Sequence, residues 1–379
     1  MTTSGWLTTK GSKIVDQAGN EVWLKGINWF GYNTGDNCPG CLDACNLEDM
    51  ISQIASRGFN MVRLPVSCEL LSNWMLGKCY EAVYNSGLNP ELVGKDSLEI
   101  FNYTLGLFRK YGLMVLIDIH SVETDIDGHT YPLWYTDRID EVEYMASLAW
   151  LADNYKDNDT IIGIDIRNEP HGGAEESVRA VWSDTKTRNN WRIFAQAASK
   201  VVLNFNPNLL VVIEGVQVYP KDIDTNNYVS LNAGDYHNTW WGGNLMGVRK
   251  YPIDLGSPEL NRQIVYSVHE YGPTVFMQPW FEGDYSYETL CKEVWHDLWL
   301  YLVEEDIAPV LIGEWGGYMD DQTLKWMRCV RQLIAEKRLN YAYWCLNPDS
   351  PDTGGMLLED RRTWDGERYA FIKELLDIV

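Results

Sequence analysis

The stretch IIGIDIRNEP, residues 161–170, gathers branched apolar side chains into a short run and turns polar at Asn168-Glu169-Pro170. A short run that does not alternate strictly with polar residues is the pattern of a strand covered on both faces, as in a parallel sheet. Seven other segments repeat the theme: 22–30 (VWLKGINWF), 59–66 (FNMVRLPV), 113–120 (LMVLIDIH), 209–216 (LLVVIEGV), 263–271 (QIVYSVHEY), 308–315 (APVLIGEW) and 339–346 (LNYAYWCL). Helical patterns lie between them near 46–57, 96–111, 140–155, 188–204, 286–305, 320–337 and 364–378. Asn46 with Asp49 ahead of one apolar series, and Gly58 behind it, mark a helix entering and leaving. The segment 217–262 contains Pro220, Trp240-Trp241-Gly242-Gly243 and Pro252, so it reads as loop with short helical turns. Eight strands alternating with helices predict an α/β protein, a (β/α)8 TIM barrel forming one catalytic domain over residues 1–379. Residues from about 5 to 24 alternate and turn at Ala18-Gly19-Asn20, which predicts a short N-terminal β-hairpin. No glycine-rich phosphate loop follows any strand, which disfavours a nucleotide enzyme.

Composition narrows the partners. With 54 acidic against 31 basic side chains the 379-residue chain carries a net charge of -23, which repels nucleic acid, anionic membranes and acidic polysaccharides. No stretch approaches the roughly 18 to 20 apolar residues of a membrane span. The 17 Trp and 22 Tyr against 9 Phe favour rings with an apolar body and a polar handle, which suit the faces and edges of sugars. Core packing is the competing reading for any single one of them. Cys38, Cys41 and Cys45 form C-x2-C-x3-C in a Gly and Pro loop, read either as one or two loop disulfides or as free thiols, with zinc disfavoured for want of a fourth ligand. The start MTTSGWLTTK lacks a charged and then apolar leader, as expected of a cytoplasmic protein or of a mature domain restarted with Met.

A barrel displays its chemistry at the carboxyl ends of its strands. Those ends carry Arg63-Leu64-Pro65, Asp118-Ile119-His120, Asn168-Glu169-Pro170-His171, His269-Glu270-Tyr271, Glu314-Trp315-Gly316 and Trp344-Cys345-Leu346-Asn347. Glu169 and Glu314 matter most: two carboxylates facing each other at a barrel rim are the minimum equipment for breaking a glycosidic bond by acid plus nucleophile or base. The loop 122–136, with Glu123, Asp125, Asp127 and His129, has no characteristic ligand spacing and reads as a polar loop rather than a metal site.

The segments GINWFG (26–31), RLP (63–65), NEPH (168–171), EGVQ (214–217), WWGGNL (240–245), YSVHEYGP (266–273), GEWG (313–316) and NPDSPDTGG (347–355) together make the chain resemble glycoside hydrolase family 5, especially its bacterial endo-β-1,4-glucanases. The resemblance covers nearly the whole chain and implies a retaining double displacement. Glu314 would be the nucleophile, kept ionised by Arg63 and Tyr271 beside it, and Glu169 the general acid and then base, its pKa pushed upward. Their carboxyls would stand about 5 to 5.5 Å apart. Asn168 would bind the sugar 2-OH, His120 and His269 would line the same subsite, and Trp344 would floor it. Trp240 and Trp241 are candidates for more distant subsites. Trp29 is carried as a further binding candidate, while for it and for Trp134, Trp182 and Trp280 packing is the better reading.

Arg167 and Ser121 depart from the family pattern and leave the preferred sugar open. The resemblance implies no cofactor and no metal, a β-glucan or cello-oligosaccharide substrate, a monomer and a secreted protein. Xyloglucan, xylan and mannan are the alternative substrates. A noncatalytic glycan-binding barrel should have lost Glu169 or Glu314 and has lost neither, and a metal-dependent hydrolase would need clustered histidines that the chain lacks.

Overall fold

In the computed structural model, which describes residues 5–379, all eight predicted barrel strands are present. They are β3 (Lys25–Asn28), β4 (Met61–Ser67), β5 (Met114–Ser121), β6 (Ile161–Asp165), β7 (Leu210–Glu214), β10 (Ile264–Tyr271), β11 (Val310–Gly316) and β12 (Asn340–Tyr343). All neighbours pair parallel, and β12 closes onto β3. Every residue of β4, β5, β6, β7, β10, β11 and β12 is buried, as expected of strands with a filled barrel on one face and helices on the other.

The N-terminal hairpin also exists, with its turn displaced from the predicted one. β1 (Thr8–Lys10) and β2 (Lys13–Val15) meet at Gly11-Ser12, and the Ala18-Gly19-Asn20 turn is a second reversal that bridges Val15 to Glu21. Its driver is local: one Asp16 oxygen accepts the N–H groups of Ala18 and Asn20 at 2.9 and 2.8 Å. Leu7, Ile14, Val22 and Leu24 from this region cluster with Met61, Met114, Leu116, Leu210, Val212, Val265 and Leu311, so the hairpin plugs the amino-terminal mouth of the barrel. The other end is thereby left as the open one.

The helix Cys68–Met75, which follows β4 directly, escaped the sequence reading. Its start is the strand's last residue, Ser67, whose hydroxyl accepts the Leu70 N–H, so strand and cap coincide and no loop announces the helix. Segment 217–262 is mostly irregular as expected, with an antiparallel pair β8 (Val218–Pro220) and β9 (Tyr236–Asn238) and short helical turns. The helix foreseen near 286–305 carries a ten-residue π-helical stretch, Cys291–Leu300. No disulfide forms among the described residues: Cys38, Cys41 and Cys45 are buried thiols, and Cys38 turns its sulfur to the Val83 carbonyl at 3.2 Å.

Strand alternation decides which side chains reach the barrel interior. Asn28 points inward, with its Nδ2 donating to the Gly313 and Ala342 carbonyls at 3.0 and 3.2 Å, so Trp29 must point out. It does: Trp29 is wholly buried in the helix layer, donates its Nε1–H to Gly40 O at 3.0 Å, and is not a binding residue. Phe30, one step further, faces the open mouth instead. Glu314 obeys a different count. Pairing with β10 runs Val268 to Ile312 and then His269 to Glu314, so Gly313 is an extra residue that turns Glu314 inward where strict alternation from Leu311 would send it out. A Cβ on Gly313 would lie 2.7 Å from Ser267 Oγ, so the bulge needs glycine.

Candidate active site

Arg63 stands at the centre of the barrel's open end, fully buried, with its guanidinium distributed over several acids. Nη1 donates to Glu314 Oε1 at 2.8 Å and Asn28 Oδ1 at 3.0 Å, Nε to Asp165 Oδ2 at 3.1 Å, and Nη2 to Asp165 Oδ2 at 3.0 Å and Asn168 Oδ1 at 2.9 Å. Asp118 and Glu214 lie 3.1 and 3.3 Å from Nη2. Burial opposes charge on the guanidinium, but Asp118, Asp165 and Glu314 hold it protonated well above its ordinary range. Asp165 answers in the opposite sense: burial, then the nearby Glu214, raises it well above the carboxylate range.

Above this layer sit the two glutamates. A donor atom from each of Glu169, His269 and Glu314 falls within 4.8 Å of the other two, so the carboxylates face each other at short range. Glu314 Oε2 accepts the Tyr271 hydroxyl at 2.6 Å. Glu169 Oε1 accepts His269 Nδ1 at 2.8 Å, and the same nitrogen is 3.4 Å from Glu314 Oε2. His269 Nε2 is 3.2 Å from Glu214 Oε1. Because these groups already hand hydrogens to the carboxylates, the cluster reads as a hydrogen-bonded acid pair rather than a cation cage.

The titration of the pair differs from the sequence expectation. Burial works against charge on His269, yet Glu214, Glu314 and the hydrogen bond to Glu169 raise it well above its usual value, so the imidazole holds a proton. Burial pushes Glu169 up, but the bond to that imidazolium and its charge outweigh burial and bring Glu169 down to about 2. Glu314 moves the other way, burial raising it against the pull of His269 and Arg63. The reversal has a geometric cause: His269 is nearer to Glu169 than to Glu314.

Backbone strain places Glu169. Its φ is +51°, uncommon for a non-glycine residue, and is held by Glu214 Oε2, which accepts the Glu169 N–H at 2.8 Å. Glu214 can reach that far because Gly242, at φ +72°, passes close by: a Cβ there would sit 2.2 Å from Glu214 Oε2. Asp118 also acts beneath the site, its Oδ2 lying 2.7 Å from His120 Nδ1 in a hydrogen bond. Asp165 and Glu214 were not singled out from sequence, although EGVQ at 214–217 was among the telling segments.

Around these groups runs a cleft of about 580 Å³. Of the residues expected there, Glu169, Glu314, His120, Tyr271, Trp240, Trp241 and Trp344 line it. Arg63, Asn168 and His269 lie just below, fully buried and in contact with the glutamates or with each other; Asn168 keeps an unpartnered Nδ2. Trp344 stacks between Phe30 and His120, at 5.8 and 5.4 Å between ring centroids. Trp240 is 6% exposed and wedged edge-on against Tyr271 and Phe276, whereas Trp241 is half-buried and stacks flat on His171 at 3.8 Å. Trp134 and Trp182 are core residues. The loop 122–136 contributes Ile126, Asp127 and His129 to the wall, which nothing in its sequence announced, and Glu123 is tied internally to Thr136 and Arg138. Among the described residues no lysine or arginine lines the cleft, while Asp127, Asp349 and Asp352 do, an arrangement suited to a neutral polymer.

Between His269 and Tyr271, Glu270 points the other way, into the helix layer. Trp295 and Trp299, four positions apart on the π-helical stretch, donate their Nε1–H groups to its two oxygens at 3.0 and 2.7 Å. Burial raises Glu270 to about 7 in the folded chain against an ordinary value of 4.5. The folded state therefore binds the proton more tightly than the unfolded one, and this group's contribution to stability falls as pH rises from 4.5 to about 7, by about 3 kcal/mol in all. Melting curves of wild type and Glu270→Gln between pH 5 and 8 should show the difference in Tm moving in favour of the variant as pH rises. A constant difference would contradict it.

Comparison with known proteins fits this geometry. The family model for Cellulase (glycosyl hydrolase family 5) matches residues 15–350. Endoglucanase G of Acetivibrio thermocellus is 42% identical over 98% of this chain and 71% of its own length, and an endoglucanase of Paenibacillus polymyxa is 36% identical over 99% and 88%. Among solved structures, an endocellulase from Pyrococcus horikoshii in complex with cellotetraose superposes with a TM-score of 0.86 at 29% identity, covering all of both chains.

Proposed function

This chain belongs to glycosyl hydrolase family 5 and is an endo-β-1,4-glucanase, and from that premise we propose that it works by a retaining double displacement in which Glu314 attacks and Glu169 moves the proton. The observation that carries the reading is the short distance between the glutamates, within 4.8 Å at their nearest donor atoms, which leaves no room for the water that an inverting enzyme seats between carboxyls roughly 6.5 to 9.5 Å apart.

Each neighbour then has a task. Arg63 and Tyr271 fix both oxygens of Glu314 and aim it at the anomeric carbon. Glu169 and His269 share one proton across 2.8 Å, resting on the imidazole while Glu314 is anionic. As Glu314 bonds to the sugar its charge is consumed, one of the pulls that kept the proton on His269 disappears, and the proton passes through Glu169 to the leaving oxygen. Glu169, ionised again, takes a proton from the water that hydrolyses the glycosyl ester. Asn168, its Oδ1 held by Arg63, has Nδ2 free for the 2-OH. Trp344 floors the reacting sugar, and Trp241 and Trp240 serve the chain beyond it. The cleft is complete within one chain, which supports a monomer, and a polymer that cannot cross a membrane supports action outside the cell.

The test follows product stereochemistry. Proton NMR of fresh cello-oligosaccharide digests should show the β-anomer first, with the α-anomer appearing only by mutarotation. Initial α-anomer would end the double-displacement reading. A parallel panel of carboxymethylcellulose, mixed-linkage glucan, xyloglucan, xylan and mannan, with viscosity followed against reducing ends, should place the glucans first; a faster rate on xylan or mannan would move the substrate assignment and leave the mechanism standing.

A further inference from the structure

His171, two residues beyond Glu169, stands behind the residues that line the cleft and meets two of them, Glu169 and Trp241. Its Nδ1 is 2.6 Å from the Glu169 carbonyl oxygen and its Nε2 is 3.1 Å from the Thr130 carbonyl oxygen. Both partners can only accept, so a neutral imidazole satisfies one of them, and the shorter contact assigns the hydrogen to Nδ1. The ring is 4% exposed, and burial lowers its affinity for a second proton. One face of the ring lies flat on Trp241, with centroids 3.8 Å apart and planes 6° from parallel. Trp241 leads into Gly242, where a Cβ would be 3.4 Å from Glu169 Cα, so this indole sits on the flank of the acid, where the departing part of the substrate must lie.

The Glu169 backbone is held at two points, its N–H by Glu214 and its carbonyl by His171, and it needs both because its φ of +51° is unfavourable. We propose that His171 is a positioning residue that sets the height of the acid and of the Trp241 platform together, through its Nδ1–H and its ring face respectively, so that the leaving sugar and the proton it receives arrive in register. This rests on the assignment of Glu169 as the acid.

Two substitutions separate the two contacts. His171→Phe keeps a ring for Trp241 and removes the donor; His171→Asn keeps a donor in the place of Nδ1 and removes the ring. Kinetics on cellopentaose are compared with those on a 2,4-dinitrophenyl β-cellobioside, whose leaving group needs no proton and places no sugar on Trp241. His171→Phe should lower kcat on cellopentaose by about tenfold with KM nearly unchanged, and His171→Asn should raise KM by about tenfold with kcat nearly unchanged. Both should keep kcat/KM on the aryl cellobioside within about twofold of wild type, which a merely structural role would not allow. Equal losses on both substrates, or no loss from either variant, would overturn the proposal. Glu169→Gln, run alongside, distinguishes the failures: if it retains activity on cellopentaose, the acid assignment falls and takes this inference with it, whereas its loss there beside unselective His171 variants sinks the inference alone.

Discussion

Glu314→Gln should bring turnover of cello-oligosaccharides down by on the order of 10⁴-fold or more while their binding stays within a few-fold of wild type. Glutamine keeps the shape, and its amide oxygen can still accept from Arg63 Nη1, which donates to Glu314 at 2.8 Å. Tyr271, now facing an amide, loses a charged acceptor, but the cleft walls are untouched. What disappears is an oxygen able to form the glycosyl ester. Calorimetry with cellotetraose, paired with reducing-end assays, checks both halves. A variant that retains a tenth of wild-type turnover would show that another group attacks. Glu314→Ala with added azide sharpens the result, because a small anion in the vacated space should restore cleavage of an activated aryl cellobioside and appear bonded to the product in the α configuration.

Arg63→Met should be the most damaging substitution to stability in the barrel. It removes a fully buried cation from among Asp118, Asp165, Glu214 and Glu314 and leaves those acids facing each other in a dry interior. Breaking a buried ionic network by deleting one partner costs about 3 to 5 kcal/mol, and here one cation serves several partners. The cost has a pH signature. Asp118 is drawn below its ordinary value against the effect of burial, mainly by Arg63, so in wild type it contributes stability above the ordinary Asp value that is lost as pH falls through its own lowered one. In the variant the acids can escape repulsion by taking up protons, so the loss in Tm should be greater at pH 7 than at pH 4. An equal loss at both would mean that Arg63 matters through its packing. Arg63→Lys should recover part of the stability and little of the activity, since one ammonium cannot reproduce a fork that reaches Glu314, Asp165 and Asn168 at once.

The strands were legible because a parallel barrel needs runs apolar on both faces, and chemistry sits at their ends for the same geometric reason. The site divides along that line. Glu169, Glu314, His120, Tyr271 and Trp344 stand at strand ends and line the cleft as expected. Trp29 was carried as a binding candidate because aromatic content alone does not say which way a side chain points; counting from Asn28 would have chosen Phe30. Asp165 was not singled out within its apolar strand, because its meaning depends on Arg63, far away in sequence. The direction of the Glu169 shift was also hidden, because it turns on His269 standing 2.8 Å from one glutamate and 3.4 Å from the other. Cys68–Met75 was missed for a local reason, its cap being the last residue of β4. In the loop 122–136, Ile126, Asp127 and His129 reach the cleft through the path of the backbone, which no spacing encodes.

The extra residue at Gly313 makes the nucleophile's aim a matter of local backbone shape. Ile312 and Glu314 are consecutive in their pairing with β10 although a glycine stands between them. Shortening β11 by that one residue would bring Glu314 into regular alternation after Ile312 and leave it facing inward, whereas keeping the residue and pairing it regularly would turn Glu314 towards the helices. The attacking carboxylate is thus held on its target by one kinked peptide, and any side chain at Gly313 would press on Ser267 and His269 and disturb that kink.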